Sequence, residues 1–305
     1  MPAGDERRRL YLDVDGAMSY ANVWLNGQYV GGWPYGYASW QVDLTPYIKS
    51  GGENVIAIRL ENPPHSSRWY PGGGIYRHVW LVKTAPVHVG HWGTYLTTPD
   101  VSSTAATVKL KVTVDNSSKQ VANVRVSTQI FPLDSSDHRT GTALAGIAPP
   151  SLQIPPGASA VAEGTGTVAH PKLWGPPPQQ RPNRYVAVTT VAQGDKVVDT
   201  YETPFGIRTL KFDPNAGFFI NGEHILLNGV CNHHDLGPLG AVVNYRALQR
   251  QLEILRDMGC NALLRHDHDC GPRRRPRTSL EEPHPLLDRR SGRDRRHRQR
   301  RSDKL

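Results

Sequence analysis

A chain of 305 residues with 29 Gly and 25 Pro is long enough for two or three domains, and its turn-rich composition excludes a helical bundle in favour of short strands. Its formal net charge of +9 is concentrated in residues 265–305, which hold 13 Arg and one Lys against seven Asp and Glu, so the remaining 264 residues are close to neutral and give no basic face for nucleic acid. No apolar run reaches the roughly 18 residues of a membrane helix, and the opening MPAGDERRRLYLDVDG lacks the apolar core of a signal peptide.

From Arg9 the chain offers alternating runs, RLYLDVDG, ANVWLNGQYVGG, SWQVDLTPYI, NVIAIRLEN and YRHVWLVK, each bounded by Gly, Pro, Asn or Asp. Period-two alternation with a turn signal every ~8–12 residues predicts a β-sandwich over residues 1–86. Within it Asn26-Gly27 predicts a type I′ hairpin, since both residues tolerate positive φ. A second sandwich is predicted over residues 87–208 from TVKLKVTVDNSS, VANVRVSTQIF and NRYVAVTTVAQGDKVVDTYETPFGI, with the Pro-rich PPSLQIPPGASA and LWGPPPQQRPN as connections. An immunoglobulin-like fold is the economical reading of that segment.

The pattern then changes. Phe218–His224 predicts a hairpin leading into a buried strand over Ile225–Val230. NYRALQRQLEILRDMGCN predicts a helix with Asn244 as N-cap, Leu248, Leu252, Leu255 and Met258 on one face, and Gly259 as the stop. Asn261-Ala262-Leu263 opens another strand, so residues 209–264 read as a βαβ unit. The arginine-rich residues 265–305 have no apolar period and read as a solvated, disordered tail.

Cys231, Cys260 and Cys270 form neither a C-x-x-C pair nor an even framework, which argues against a zinc site and makes a reducing, cytoplasmic compartment the default. Asn232, His234 and Asp235, with His224, have ligand chemistry without a ligand-like spacing, and a hydrogen-bonded turn is the stronger reading. The HDHDC run at 266–270 lacks a second ligand cluster, so no metal and no cofactor are implied.

Several ordered blocks carry a resemblance. DVDGAMSYANVWLNGQYVG, RWYPGGGIYRHVWL, TPFGIRTLKFDPNAGFFINGEHILLNGVCNHHDLGPLG and the helix end MGCNAL make residues 6–263 similar to the amino-terminal half of glycoside hydrolase family 2, the β-galactosidase and β-glucuronidase group. The resemblance implies a mainly β chain: a jelly-roll-like sugar-binding sandwich, an immunoglobulin-like sandwich, and the first βα unit of an incomplete (β/α)₈ TIM barrel. It also implies retaining hydrolysis of a β-glycoside by two carboxyls about 5 Å apart. In the family both are glutamates on later barrel strands, so no catalytic residue falls within this sequence, and the 305 residues are expected to be inactive alone.

The substrate-binding expectations follow residue by residue. His233, in GVCNHH at the end of the first barrel strand, matches a family histidine that contacts the sugar, with Asn232 beside it. Arg68, Trp69 and Tyr70 lie in the Gly-rich loop SSRWYPGGGIYR, which in the family projects toward the barrel mouth. Trp24, Trp33, Trp40 and Trp80 are expected to pack within or on the first sandwich rather than serve as sugar platforms. Two departures accompany the resemblance: the family's opening strands and W-Y-R-like motif are missing, and after Leu263 the family's R-x-S-H-x-P is replaced by Leu264-Arg265-His266-Asp267-His268-Asp269-Cys270. The expectation is a chain truncated at both ends with a frameshifted tail, and an incomplete amino terminus leaves export open. A non-catalytic carbohydrate-binding or scaffold protein is the alternative. Neither the sugar nor the oligomeric state is specified by these residues.

Overall fold

The structure, a computed structural model, describes residues 7–63, 72–232, 236–237, 240 and 242–265. The first sandwich is built from β1 (Arg9–Val14), β2 (Ala17–Met18), β3 (Ala21–Leu25), β4 (Gln28–Trp33), β5 (Trp40–Asp43), β6 (Ile56–Arg59), β7 (Gly74–Ile75) and β8 (Val79–Thr84). Sheets ordered β5-β1-β8 and β4-β3-β6 face each other, with the short β2-β7 pair beside them. Alternation decides the layers: Leu10, Leu12 and Val14 of β1 and Ala21, Val23 and Leu25 of β3 meet in one buried cluster with Trp40 and Leu44, and the intervening residues face outward. The Asn26-Gly27 turn has φ of 54° and 83°, the geometry expected of the dipeptide.

The second sandwich contains β9 (Val87–Thr97), β10 (Ala105–Asn116), β11 (Ala122–Leu133), β12 (Ala145–Ile147), β13 (Leu152–Ile154), β14 (Ser159–Ala169), β15 (Arg184–Gln193) and β16 (Lys196–Phe205). Its sheets run β14-β10-β9 and β12-β11-β15-β16, with β13 pairing β11. The core is dense in branched aliphatics, including Val108, Val112, Val124, Ile130, Ile154 and Val191. Buried hydroxyls in it are paired: Thr128 and Thr189 share a hydroxyl bond of 2.8 Å, and the Tyr185 hydroxyl donates to the Lys172 carbonyl at 3.1 Å while accepting from the Lys172 N–H at 2.7 Å. Burial pushes the Tyr185 phenol above its ordinary pKa, and the Lys172 backbone bond opposes that.

The two sandwiches meet through polar residues. Strand β9 bulges between Val112 and Val114 of its partner β10, at Gly90-His91-Trp92-Gly93. A Cβ at Gly93 would lie 2.8 Å from the carbonyl oxygens of Gly90 and Thr113, so glycine is required for this close approach. The bulge sets His91 Nδ1 at 3.9 Å from Oδ2 of Asp13, a β1 carboxylate with no solvent exposure. Tyr11 of β1 packs on His88 of β9 at 5.8 Å. Sheet β5-β1-β8 therefore has its outer face against β9, while the outer face of β4-β3-β6 carries exposed side chains.

Beyond the sandwiches come β17 (Leu210–Asp213), β18 (Gly217–Ile220), β19 (Glu223–His224), β20 (Gly229–Asn232), α1 (Tyr245–Asp257) and β21 (Ala262–Arg265). Strands β17-β18-β19 form a small antiparallel sheet docked on the connection between β14 and β15. Asn221 Nδ2 donates to the Trp174 carbonyl at 2.9 Å and to Gln180 Oε1 at 2.7 Å, and the Arg208 guanidinium lies 4.9 Å from the Trp174 ring. The Pro-rich connection thus serves as a docking ledge as well as a loop.

Asp213 closes the β17–β18 turn. Its carboxylate accepts from Ala216 N–H at 3.0 Å and Asn215 N–H at 3.1 Å, and it pairs with Lys211 at 3.3 Å. These contacts, the Ala216 bond foremost, hold the carboxyl below its ordinary value of 3.8. Because the folded value is lowered, the turn's stabilisation is present above the ordinary pKa and is lost as pH falls through the folded one. Amide NMR shifts of Asn215 and Ala216 are expected to titrate with a midpoint below 3.8. A midpoint at or above that value would contradict the turn geometry.

One expectation is corrected here. The run Ile225–Val230 is not a buried strand: Ile225 is buried, but Leu226 and Leu227 are 69% and 60% exposed, and the strand begins only at Gly229. The backbone before it is tied to Asn261 instead, whose side chain donates to the Leu226 carbonyl at 2.8 Å and accepts from Asn228 N–H at 2.9 Å. Among the described residues β20 has a single neighbouring strand, and no described strand covers those leucines.

Candidate functional site

The one parallel pairing among the described strands is β20 with β21, in the register Gly229↔Ala262 to Asn232↔Arg265. Parallel strands need a crossover, and α1 supplies it. The helix starts where Asn244 Oδ1 accepts from Ala247 N–H at 3.0 Å. It ends in a Schellman motif, with Gly259 N–H on the Arg256 carbonyl at 2.8 Å and Cys260 N–H on Leu255 at 3.0 Å, Gly259 having φ of 88°. Both caps were legible as residue types. The apolar face was also legible, but no residue of α1 is buried; Leu252 is 47% and Met258 69% exposed.

Asn232 stands at the carboxyl end of β20 and is half-buried. Its Nδ2 lies 3.3 Å from Gln251 Oε1 on α1, which ties the strand end to the helix. His233, the neighbouring candidate, lies outside the described residues, as do Arg68, Trp69 and Tyr70, together with His234 and Asp235 of the polar cluster and the HDHDC run. His224 is exposed on β19, 5.3 Å from the Phe219 ring. Cys231 is an exposed free thiol and Cys260 a partly buried one.

What the structure adds is a tie between two separated motifs. Val243 N–H, just before α1, donates to the Tyr76 carbonyl at 3.0 Å, and the Val243 side chain joins Met18, Tyr37 and Tyr76 of the first sandwich in a small apolar cluster. The Tyr76 hydroxyl donates to the Gly36 carbonyl at 2.9 Å, and a side chain at Gly16 would meet the Tyr76 ring at 2.8 Å. The GIYR block of the first sandwich is thereby joined to the segment that follows GVCNHH. Sequence reading marked both blocks and missed the bond between them, because nothing local signals a contact spanning that many residues.

Comparison with known proteins decides the family. Residues 87–208 match the profile described as Glycosyl hydrolases family 2, and residues 1–98 match the one described as Glycosyl hydrolase 2 galactose-binding domain-like. The chain belongs to glycosyl hydrolase family 2. It is 42% identical over 253 residues to the β-galactosidase BoGH2A of Bacteroides ovatus, covering 83% of this chain and 29% of that enzyme. It is 29% identical to a β-glucuronidase of Formosa agariphila, covering 75% of this chain and 24% of the relative. A solved family 2 member from Bacteroides cellulosilyticus superposes with a TM-score of 0.79 at 33% identity, over 87% of this chain and 33% of its own. The family 2 chain described here thus spans about a third or less of the length of these relatives, and its two sandwiches are the jelly-roll-like and immunoglobulin-like folds that the sequence implied.

Proposed function

We propose that residues 1–86, 87–208 and 209–264 are the sugar-binding sandwich, the immunoglobulin-like sandwich and the start of the catalytic barrel of a family 2 β-glycosidase of the β-galactosidase type. Their task is to position the first barrel strand and its substrate-contacting end, while the acid/base and nucleophilic carboxyls belong to later barrel strands. The observation that carries this reading is the parallel β20-α1-β21 unit, tied to the first sandwich by the Val243–Tyr76 bond. In it, Asn232 and His233 hydrogen-bond sugar hydroxyls at the strand end. Arg68, Trp69 and Tyr70 line the same mouth from the first sandwich, the aromatic rings stacking on the sugar. The 42% identity to a β-galactosidase favours a β-galactoside as the substrate class.

The test is a fusion in which residues 7–263 replace the matching segment of the B. ovatus β-galactosidase. The fusion is expected to hydrolyse a chromogenic β-galactoside. Asn232→Ala in that background is expected to lower kcat/KM by about 10- to 100-fold, the loss of one hydrogen bond aimed at the reacting sugar. A fusion that melts cooperatively yet is inactive, or an Asn232→Ala variant with unchanged kcat/KM, would overturn the assignment.

A further inference from the structure

Tyr76 sits where the first sandwich meets the segment that leads into α1, and both its backbone and its buried ring are held. Its N–H donates to the Gly16 carbonyl at 3.3 Å, and its hydroxyl donates to the Gly36 carbonyl at 2.9 Å. The ring meets Tyr37 edge to face at 6.4 Å, with the Arg77 guanidinium 5.1 Å from its centroid. Two glycines make room for this arrangement. A Cβ at Gly16 would lie 2.8 Å from the ring and 2.9 Å from the hydroxyl oxygen, and one at Gly36 would run into Met18 Sδ, which belongs to the same cluster. Neither glycine has a positive φ, so both positions require space rather than backbone freedom.

A residue held this closely presents its carbonyl in one place, and that carbonyl accepts from Val243 N–H at 3.0 Å. The Val243 side chain adds an apolar anchor by packing on Met18, Tyr37 and Tyr76. Val243 immediately precedes Asn244, whose Oδ1 caps α1 by accepting from Ala247 N–H. About two turns further along that helix, Gln251 Oε1 lies 3.3 Å from Nδ2 of Asn232 at the carboxyl end of β20. Helices in proteins are held mainly by a packed face, yet α1 buries none of its residues. The contacts at Val243 and Gln251 therefore matter more to its placement than they would in a helix seated on a core.

We propose that Tyr76 is a positioning residue for Asn232. The first sandwich fixes the start of α1 through the Tyr76 carbonyl and ring, and α1 fixes the amide at the strand end through Gln251. The kinetic consequence rests on Asn232 being a sugar contact, as proposed above; the structural coupling from Tyr76 to Asn232 does not.

The coupling is read in the 305-residue chain from the side-chain amide resonances of Asn232. Tyr76→Ala and the milder Val243→Gly are expected to shift them and to speed exchange of the Val243 amide hydrogen about tenfold or more. Tyr76→Phe, which keeps the ring in place, is expected to shift them less, and Tyr95→Ala, at an exposed aromatic of the second sandwich, to leave them where they are. Thermal melts verify that the variants fold, and Val243→Gly carries the test if Tyr76→Ala does not. In the fusion enzyme, Tyr76→Ala is expected to lower kcat/KM about tenfold through misplacement of the amide. In the Asn232→Ala background it is expected to cost little more, because both changes act through one side chain. A purely stabilising role would instead give additive losses. Asn232 resonances unmoved by Val243→Gly and Tyr76→Ala, or additive losses in the fusion, would overturn the proposal. If Asn232→Ala alone leaves kcat/KM unchanged, the substrate-contact reading falls, and shifted resonances still support the coupling.

Discussion

The purified 305-residue chain is expected to release no aglycone from a chromogenic β-galactoside or β-glucuronide above a mock-purified control. Retaining hydrolysis needs one carboxyl to protonate the leaving oxygen and a second, about 5 Å away, to form the glycosyl–enzyme bond. General acid/base help alone is worth roughly 10²–10⁴ in rate, and the nucleophile is required for the two-step route. At the end of β20 the described polar side chains are Asn232 and Gln251, both amides, which can bond a sugar but neither donate a strong-acid proton nor attack the anomeric carbon. The carboxylates of α1 are engaged elsewhere, Glu253 with Arg246 and Asp257 with Arg256. Turnover that co-purifies with the chain through two orthogonal columns and is lost in Asn232→Ala would refute this expectation, whereas the fusion described above should be active. The contrast between the chain and the fusion isolates what the sandwiches contribute from what the carboxylate-bearing strands contribute.

Ile130→Ala is expected to destabilise the chain by about 2–5 kcal/mol, the range for emptying a fully buried aliphatic site. Ile130 has no solvent exposure and lies on β11, which pairs β15 on one side and β12 on the other, so its neighbours are held by two hydrogen-bond ladders and collapse poorly into the void. The paired control is Leu252→Ala on α1: that residue is 47% exposed, and its truncation is expected to stay within about 0.5 kcal/mol. Urea unfolding followed by tryptophan fluorescence measures both. Equal effects at the two positions would mean that the α1 segment shares one cooperative core with the second sandwich. Limited proteolysis reads the same distinction, with cleavage expected between Ile207 and the β20 region before any cut within β9–β16, because the two sandwiches hold the buried clusters while α1 buries no residue.

The strands of both sandwiches could be read from the chain because alternation of apolar and polar residues is a local property. Leu10, Leu12 and Val14, or Val108, Leu110, Val112 and Val114, name their own buried face. Caps and tight turns were equally local: Asn26-Gly27, Asn244 and Gly259 act within four residues of themselves. The run Ile225–Val230 misled for the opposite reason. Its leucines satisfy the pattern of a buried strand, but burial needs neighbours on both sides, and the described fold gives β20 only β21.

By itself, then, the sequence determined the mainly β class, the two sandwiches, the capped helix between parallel strands and the family resemblance, all of which depend on short-range pattern or on ordered motif blocks. The tertiary structure alone decided which sheet face packs against the second sandwich. Tyr11 and Asp13 look like ordinary outward residues until β9 bulges over them and brings His88 and His91 against them. Trp24, whose expected role was packing, is half-buried on the opposite sheet with its ring against Tyr29. Period-two alternation tells a residue which side of its own sheet it occupies, but not what lies on that side, because that is set by contacts between residues far apart in the chain.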